Sequence, residues 1–159
     1  MKQPVEHKDV KNSVTVGLVF DFRGQRFTPS IDIDLDALMH KPDRLSVNGL
    51  YNMLAASIGL DAYRHEYDVM AMHELVFSQP TGLACEFVAD GKLDFDGFIH
   101  AWQQQRIRKI VQAIAGRHLN ISDLTQHDNI EKALIESYLA GRKHAAQDKN
   151  KAANSDLRA

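Results

Sequence analysis

The stretch that decides the fold runs from Val14 to Asp36 and reads VTVGLVFDFRGQRFTPSIDIDLD. Apolar and polar residues alternate along most of it, which is typical of strands with one buried face and one solvated face. Gly24 and Gln25 lie near its middle, and a glycine at the first central position favours a two-residue turn of type II′. The stretch therefore predicts a β-hairpin whose apolar side chains share one face.

The turn sets the pairing of the two predicted strands. With the turn at that place, Phe22 opposes Phe27 and Val16 opposes Ile33 on the apolar face. A slip of one residue would expose the whole apolar set, so we expect a firm register. Pro29 has no N–H to donate, which favours an edge position for the second strand.

The polar face of the hairpin carries a row of carboxylates. Asp32 and Asp34 would lie about 6.6 to 6.8 Å apart on one strand face. Two such carboxylates suit Mg²⁺ or Ca²⁺, which prefer oxygen ligands, but the stretch supplies no further ligand. A solvated strand face explains the same pattern, with Asp36 as the cap of a short helical turn. We therefore predict no cofactor, and a divalent metal at Asp32 and Asp34 is the alternative.

The composition argues against several classes of protein. The chain has 159 residues, of which 44% are hydrophobic and 25% charged, and this suits one globular domain with a real core. A net charge of -2, without aromatic residues interleaved among the basic ones, argues against nucleic acid as the partner. No apolar run reaches membrane-spanning length, and the start of the chain does not resemble a signal peptide. With a single cysteine, we expect a soluble protein of the cytoplasm.

Three stretches with apolar residues at three-and-four spacing predict helices. They are residues 46–58 with Ser46 as the N-cap, a long helix from Asp94 or Asp96 to Gly116, and a helix from Thr125 or Asp128 to Gly141. We expect a single α+β domain over residues 13–141, preceded by a flexible segment at 1–12. The polar segment 142–159 is predicted to be frayed helix or disordered.

Residues 61–78 fit either a helix or a strand, because their apolar residues match both periods. We favour a helical turn at 61–66 followed by a strand at 68–78. Gln79 to Gly82 have turn composition and 83–88 is a short apolar run, so these segments predict a second hairpin. The predicted architecture is then a mainly antiparallel four-stranded sheet, made of two hairpins, with about three helices packed on one face.

The candidate catalytic residues gather around the second predicted hairpin. His73 and Glu74 form an imidazole–carboxylate pair, and such groups can tune each other's pKa values. His100 on the long helix and Cys85 on the opposite strand would complete a set for acid–base or nucleophilic chemistry. Cys85 has apolar neighbours, however, which favours a buried and unreactive thiol. A zinc motif of the HExxH kind is absent.

Two functions remain open from the sequence, and no motif identifies a known family. The favoured one is a non-enzymatic interaction domain that associates with itself as a dimer, because catalytic motifs are absent and the last helix has a wide apolar arc. That arc includes Leu134, Ile135, Tyr138 and Leu139. The alternative is a small enzyme or ligand-binding protein, with or without a metal, whose cleft lies near His73. The sequence does not identify the protein partner, the substrate or the ligand.

Overall fold

The computed structural model describes residues 10–41 and 46–156, with side chains described as far as Asp148. Contacts between Cα atoms divide the chain into two compact units, residues 1–100 and residues 101–159. The described elements are, in chain order, β1 Ser13–Gly17, β2 Phe20–Phe22, β3 Gln25–Phe27, β4 Ser30–Asp34, α1 Leu35–Met39, α2 Val47–Ser57, α3 His65–Ala71, β5 Val76–Thr81, β6 Val88–Ala89, β7 Lys92–Leu93, α4 Phe95–His118 and α5 Asp128–Asp156. Two 3₁₀ turns, Gly82–Glu86 and Leu124–Gln126, precede β6 and α5. Residues 1–9 of the predicted flexible segment lie outside the described residues.

The mixture of helices and antiparallel strands that the sequence predicts is confirmed. The four-stranded sheet is wrong, because within the described residues the largest sheet has three strands, in the order β4-β1-β5. β2 with β3, and β6 with β7, form separate two-stranded ladders. Five α-helices, in place of about three, are found over the same residues.

The first hairpin forms with its predicted faces but with a different register. β1 pairs with β4 so that Val16 opposes Ile31, two residues away from its predicted partner Ile33. The cause is the turn, which lies at Arg23 and Gly24 with φ values of 50° and 78°. Positive φ at both central residues defines a type I′ turn and not the predicted type II′. A shift of two residues keeps each side chain on its predicted face, so the apolar face is still the buried one.

β4 forms one edge of the three-stranded sheet, as the proline before it predicts. Leu18 donates its backbone N–H to the carbonyl of Pro29 at 3.2 Å, and Leu35 donates to the carbonyl of Asn12 at 2.9 Å. Backbone groups alternate between the two sides of an antiparallel strand. The odd-numbered residues of β4 therefore bond to β1, and the even-numbered ones, Asp32 among them, direct their backbone groups outward. A charged residue at this edge discourages a further strand from adding there.

The helical turn after β4 is α1, but its cap is not the predicted one. Asp34, and not Asp36, is the N-cap, and its carboxylate accepts a hydrogen bond from the N–H of Ala37 at 3.1 Å. Leu35 and Leu38 are buried. The strand alternation thus continues as far as Leu35, so the helix begins directly after Asp34.

The predicted helix over residues 46–58 is confirmed as α2. Ser46 is its N-cap, with the hydroxyl accepting a hydrogen bond from the N–H of Gly49 at 3.0 Å. Gly59 has a φ of 67°, the left-handed conformation in which glycine ends helices. Leu50 and Leu54 lie one turn apart and are buried, and α2 contacts β4.

Residues 61–78 are helical for longer than predicted. α3 extends to Ala71, and the strand expected from residue 68 begins only at Val76. Met70 is completely buried. The helical period of this stretch, and not its strand period, therefore matches the core.

The second predicted hairpin does not form. The predicted turn around Gln79 belongs to β5, where Gln79 has a φ of 49° beside an irregular pairing with β1. The predicted strand at 83–88 is mostly the 3₁₀ turn Gly82–Glu86. A shorter hairpin, β6 with β7, forms instead around Asp90 and Gly91, which both have positive φ. The turn composition therefore marked a bulge within a strand.

The two long helices begin where predicted and end later. Asp94 precedes α4, and its carboxylate accepts a hydrogen bond from the N–H of Gly97 at 3.0 Å. α4 continues past Gly116, and α5 continues past Gly141. Neither glycine has the positive φ that ends a helix, so both predicted ends are wrong.

The C-terminal unit has a core of its own. Ile107, Val111 and Ala115 repeat every fourth residue along α4 and are buried together with Leu124. Half-buried residues of α5 pack against this cluster, namely Ile130, Leu134, Ile135 and Tyr138. The apolar side chains in the second half of α4 therefore pack against residues of the same C-terminal unit.

Candidate functional site

The predicted metal ligands Asp32 and Asp34 both bind to other groups of the protein. Asp32 accepts a hydrogen bond from the hydroxyl of Thr15 at 2.5 Å. Asp34 caps α1 and also forms an ion pair with Lys11, whose ammonium nitrogen lies 2.8 Å from a carboxylate oxygen. The hydrogen bond from Lys11 is the main cause that lowers the pKa of Asp34 below its ordinary value. Both carboxylates thus stabilise the edge of the sheet.

No third ligand joins this pair in the part of the chain that the structure describes. Over those residues, no group of three or more histidine, cysteine, aspartate or glutamate side chains is arranged to hold a metal ion. Mg²⁺ or Ca²⁺ at Asp32 and Asp34 would need water for most of its coordination sphere. The metal site stays a prediction.

Asn12 joins the carboxylates to the rest of the N-terminal unit. Its backbone N–H and its side-chain amide donate to the two carboxylate oxygens of Asp36, at 2.9 and 2.8 Å. Its amide oxygen accepts a hydrogen bond from the N–H of Leu83 at 2.7 Å. Gly82 has a φ of 60°, and a Cβ there would collide with the Asn12 amide. The sequence predicts a flexible segment that includes Asn12, because partners 24 and 71 residues away leave no local pattern.

His73 lies half-buried just after α3, and hydrogen bonds fix its ring and its backbone. Its Nδ1 is 2.9 Å from the carbonyl oxygen of Val69, an acceptor that requires the proton to be on this nitrogen. In the neutral imidazole, Nε2 is then the hydrogen-bond acceptor. The hydroxyl of Tyr51 donates to the carbonyl of His73 at 2.6 Å. The candidate base is therefore held in one tautomer by its own helix.

Glu74 follows His73 in the sequence, and its side chain is 85% exposed. Its carboxylate lies 4.0 Å from the ammonium of Lys92 on β7, which is the outer limit of an ion pair. Burial raises the pKa of Tyr51, and the negative charge of Glu74 raises it further. The Tyr51 hydroxyl therefore remains a protonated donor at neutral pH.

The other two candidate catalytic residues lie on other elements. His100 is exposed on α4. Cys85 is exposed in the 3₁₀ turn, with its sulfur 3.2 Å from the carbonyl oxygen of Pro80. The prediction of a buried Cys85 is wrong, because the strand whose apolar face would have covered it does not form. Among the described residues, no group of three or more histidine, cysteine, aspartate or glutamate side chains that could hold a metal ion includes these four candidates.

In the C-terminal unit, α5 presents apolar side chains over a wide arc. None of its five large apolar residues is fully buried within the described part of the helix: Ile130, Leu134, Ile135 and Tyr138 are half-buried, and Leu139 is 41% exposed. Each helical residue turns the chain by about 100°, so Ile130 and Leu139 lie on opposite sides of α5. A single packed face is a stripe roughly 100° wide or somewhat more. Part of the arc therefore stays open.

Polar contacts fix α5 beside α4. The side-chain amide nitrogen of Gln112 donates to two consecutive carbonyls in the connection between the helices, at 3.1 and 3.0 Å. Its amide oxygen accepts from the N–H of Leu124 at 2.9 Å. Arg108 and Glu131 add an ion pair of 3.0 Å between the two helices. These bonds determine which face of α5 meets solvent.

A surface cavity of about 550 Å³ lies where α5 begins. Its lining residues are consecutive in the sequence, from Thr125 to Ile130. The carbonyl of His127 accepts hydrogen bonds from the N–H groups of Ile130 and Glu131, which start the helix. The cavity is a depression at a helix start, and none of the candidate catalytic or metal-ligating residues lines it.

Comparison with models of protein families, with curated proteins and with solved structures finds no match. Among the described helices, none is long and apolar enough to cross a lipid bilayer.

Proposed function

We propose that the protein is a non-enzymatic interaction domain that associates with a second copy of itself through its C-terminal unit. The observation that supports this is the open part of the apolar arc of α5. Leu139 is its most exposed residue, with 41% of its surface accessible to solvent. Removing apolar surface from water is favourable by roughly 25 cal/mol per Å². Covering the open part of the arc with a second copy would therefore stabilise the dimer relative to two separate monomers.

The polar side chains of the N-terminal unit that could carry chemistry make structural hydrogen bonds, and this supports a non-enzymatic role. Asp34 and Asp36 hold the start of β1 and the start of α1, and Nδ1 of His73 is bonded to the helix that precedes it. Each of these side chains thus has a partner that accounts for its position. A cytoplasmic location, without nucleic acid or membrane as partner, is part of the proposal because of the single cysteine and the net charge of -2.

Size-exclusion chromatography with light scattering tests the association. At tens of micromolar we expect twice the chain mass of 17.9 kDa, falling toward the monomer mass on dilution. Leu139→Lys places a charge within the open arc, and we expect it to shift the protein to monomer because a buried unpaired charge is costly.

The matched control is Val47→Lys, since Val47 is also exposed, at 53%, but lies on α2 in the other unit. This variant should keep the mass of the dimer. A wild-type protein that is monomeric at all these concentrations would refute the proposal. Equal effects of the two lysine variants would remove α5 as the interface.

A second candidate, a small ligand-binding protein or enzyme, is favoured by the fixed tautomer of His73. Its Nε2 is left as an acceptor and Glu74, the next residue, has an exposed carboxylate, so the two residue types suit a cationic ligand or a divalent metal. Thermal unfolding with Zn²⁺, Mn²⁺, Mg²⁺ and Ca²⁺ tests this candidate. A rise in Tm that His73→Gln and Glu74→Gln both abolish would support it by linkage, and an unchanged Tm with all four ions would exclude these metals.

A further inference from the structure

We infer that two copies pair through α5 in antiparallel orientation, with the two-fold axis close to Leu139. This inference rests on the proposed self-association and adds the partner surface and its direction. Leu139 is the large apolar residue of α5 that is most exposed, and it lies near the middle of the described side chains of the helix. A two-fold interface brings the same patch of both copies together, so the residue on the axis meets its own copy.

The charges of α5 are segregated along its length. Before Leu139 the helix carries three acidic residues and one basic residue, Asp128, Glu131, Glu136 and Lys132. After it the sequence of the helix has four basic residues, Arg142, Lys143, Lys149 and Lys151, and two acidic ones, Asp148 and Asp156. A parallel pair would bring like charges together, whereas an antiparallel pair places the acidic half of one copy along the basic half of the other.

The charged residues nearest to Leu139 are exposed and lie on both sides of it. Glu136, Arg142 and Lys143 are all exposed. The guanidinium of Arg142 lies 6.0 Å from the centre of the Tyr138 ring, which holds it close to the apolar arc. A two-fold axis at Leu139 places Glu136 of one copy opposite Lys143 of the other, twice in each dimer, because both residues lie on the same side of Leu139 around the helix.

Glu131 differs from these residues because its charge is already used within one copy. Its carboxylate pairs with Arg108 of α4, and its side chain is only 16% exposed. The side of α5 that faces α4 and the side that carries Leu139 are therefore distinct. Leu139 and Ala146 are seven residues apart, which keeps them on one face of α5 that a second helix can cover.

Disulfide cross-linking in the full-length Cys85→Ser protein tests the orientation. On oxidation, Leu139→Cys should give a covalent dimer, because the two sulfurs meet at the axis. Lys132→Cys alone should stay monomeric under denaturing conditions, but a mixture of Lys132→Cys and Ala146→Cys chains should cross-link. A parallel pair would give the opposite result, with Lys132→Cys linking to itself, and would overturn the inference.

Charge reversal provides an independent readout. Glu136→Arg and Lys143→Glu should each weaken the dimer by about tenfold, since each creates two like-charge contacts. The double variant restores both opposite-charge contacts and should recover the wild-type Kd. All three variants change exposed residues, and circular dichroism checks that their helix content is unchanged.

The outcomes separate this inference from the proposed function. A dimer by light scattering that gives no Leu139→Cys cross-link, or no recovery in the double charge variant, would overturn the antiparallel pairing while self-association stands. A monomer at all concentrations would overturn both.

Discussion

Exchanging the side chains of Asn12 and Asp36 should reverse the direction of the hydrogen bond between them. We expect the protein to lose stability when only Asn12 is changed and to regain it when both residues are exchanged. Asn12→Asp replaces an amide nitrogen, 2.8 Å from a carboxylate oxygen of Asp36, by a second carboxylate oxygen. Two like charges about 4 Å apart repel by about 1 kcal/mol in water and about 4 kcal/mol at an effective dielectric constant of 20. Loss of a hydrogen bond to a charged group adds about 1.5 to 3 kcal/mol.

The contact is partly buried, so the expected loss lies between these limits. We expect Asn12→Asp to lower the free energy of unfolding by about 3 kcal/mol. In the double variant Asn12→Asp with Asp36→Asn, the amide at position 36 donates to the carboxylate at position 12. The new carboxylate still accepts from the N–H of Leu83, so the double variant should return to within about 1 kcal/mol of wild type.

Urea unfolding at neutral pH, followed by circular dichroism, measures all four members of this cycle. The control is Asn48→Asp on α2, an exposed asparagine, for which we expect a change within about 0.5 kcal/mol. A coupling energy between positions 12 and 36 smaller than about 0.5 kcal/mol would refute the reasoning, because it would mean that the amide and the carboxylate act independently.

Three further perturbations test other contacts. Gln112→Ala removes three hydrogen bonds and should cost about 2 to 3 kcal/mol in urea unfolding, whereas Gln105→Ala at an exposed site of the same helix should cost about 0.5 kcal/mol or less; equal losses would contradict the bridging role. Gly82→Ala combines positive φ with a collision and should cost about 2 kcal/mol more than Gly24→Ala, where φ is positive but nothing lies within 4 Å; similar Tm values would show that the collision is relieved. The pKa of Asp34 is lowered below its ordinary value of 3.8, so its ion pair stabilises the fold above that pH and the benefit is lost as pH falls through the folded-state pKa. Between about pH 6 and about pH 3 the wild type should lose more stability than Asp34→Asn, and parallel losses would refute this.

Local patterns predicted the parts of the fold whose causes are local. The alternation from Val14 to Asp36 identifies the buried face. The predicted turn is wrong, but the predicted face is still correct because the register differs by two residues, an even number. Ser46, and Asp94 as one of two alternatives with Asp96, are predictable as the starts of helices, since a cap bonds to backbone groups within three residues.

The errors lie where distant contacts decide between local alternatives. Arg23 takes the left-handed conformation at the first turn position, which the side chain alone does not favour. Residues 68–75 fit helix and strand equally, and the burial of Met70 decided for the helix. The exposure of Cys85 followed from the 3₁₀ turn, which Gly82 allows by packing on Asn12. The candidate site combines the neighbours His73 and Glu74 with His100 and Cys85, whose approach to them depends on the second predicted hairpin, and that hairpin does not form.

The continuation of α5 past Gly141 gives this helix two halves of unequal local stability. Leu134 to Tyr138 pack on the α4 cluster, whereas residues 142–148 are exposed. Amide hydrogens of the second half should therefore exchange with solvent through openings that cost little free energy, and those of the first half through much rarer ones. In an antiparallel pair the second half of each copy gains a neighbour. Exchange there should then slow as the protein concentration rises, so that the end of the helix reports assembly while its beginning reports folding.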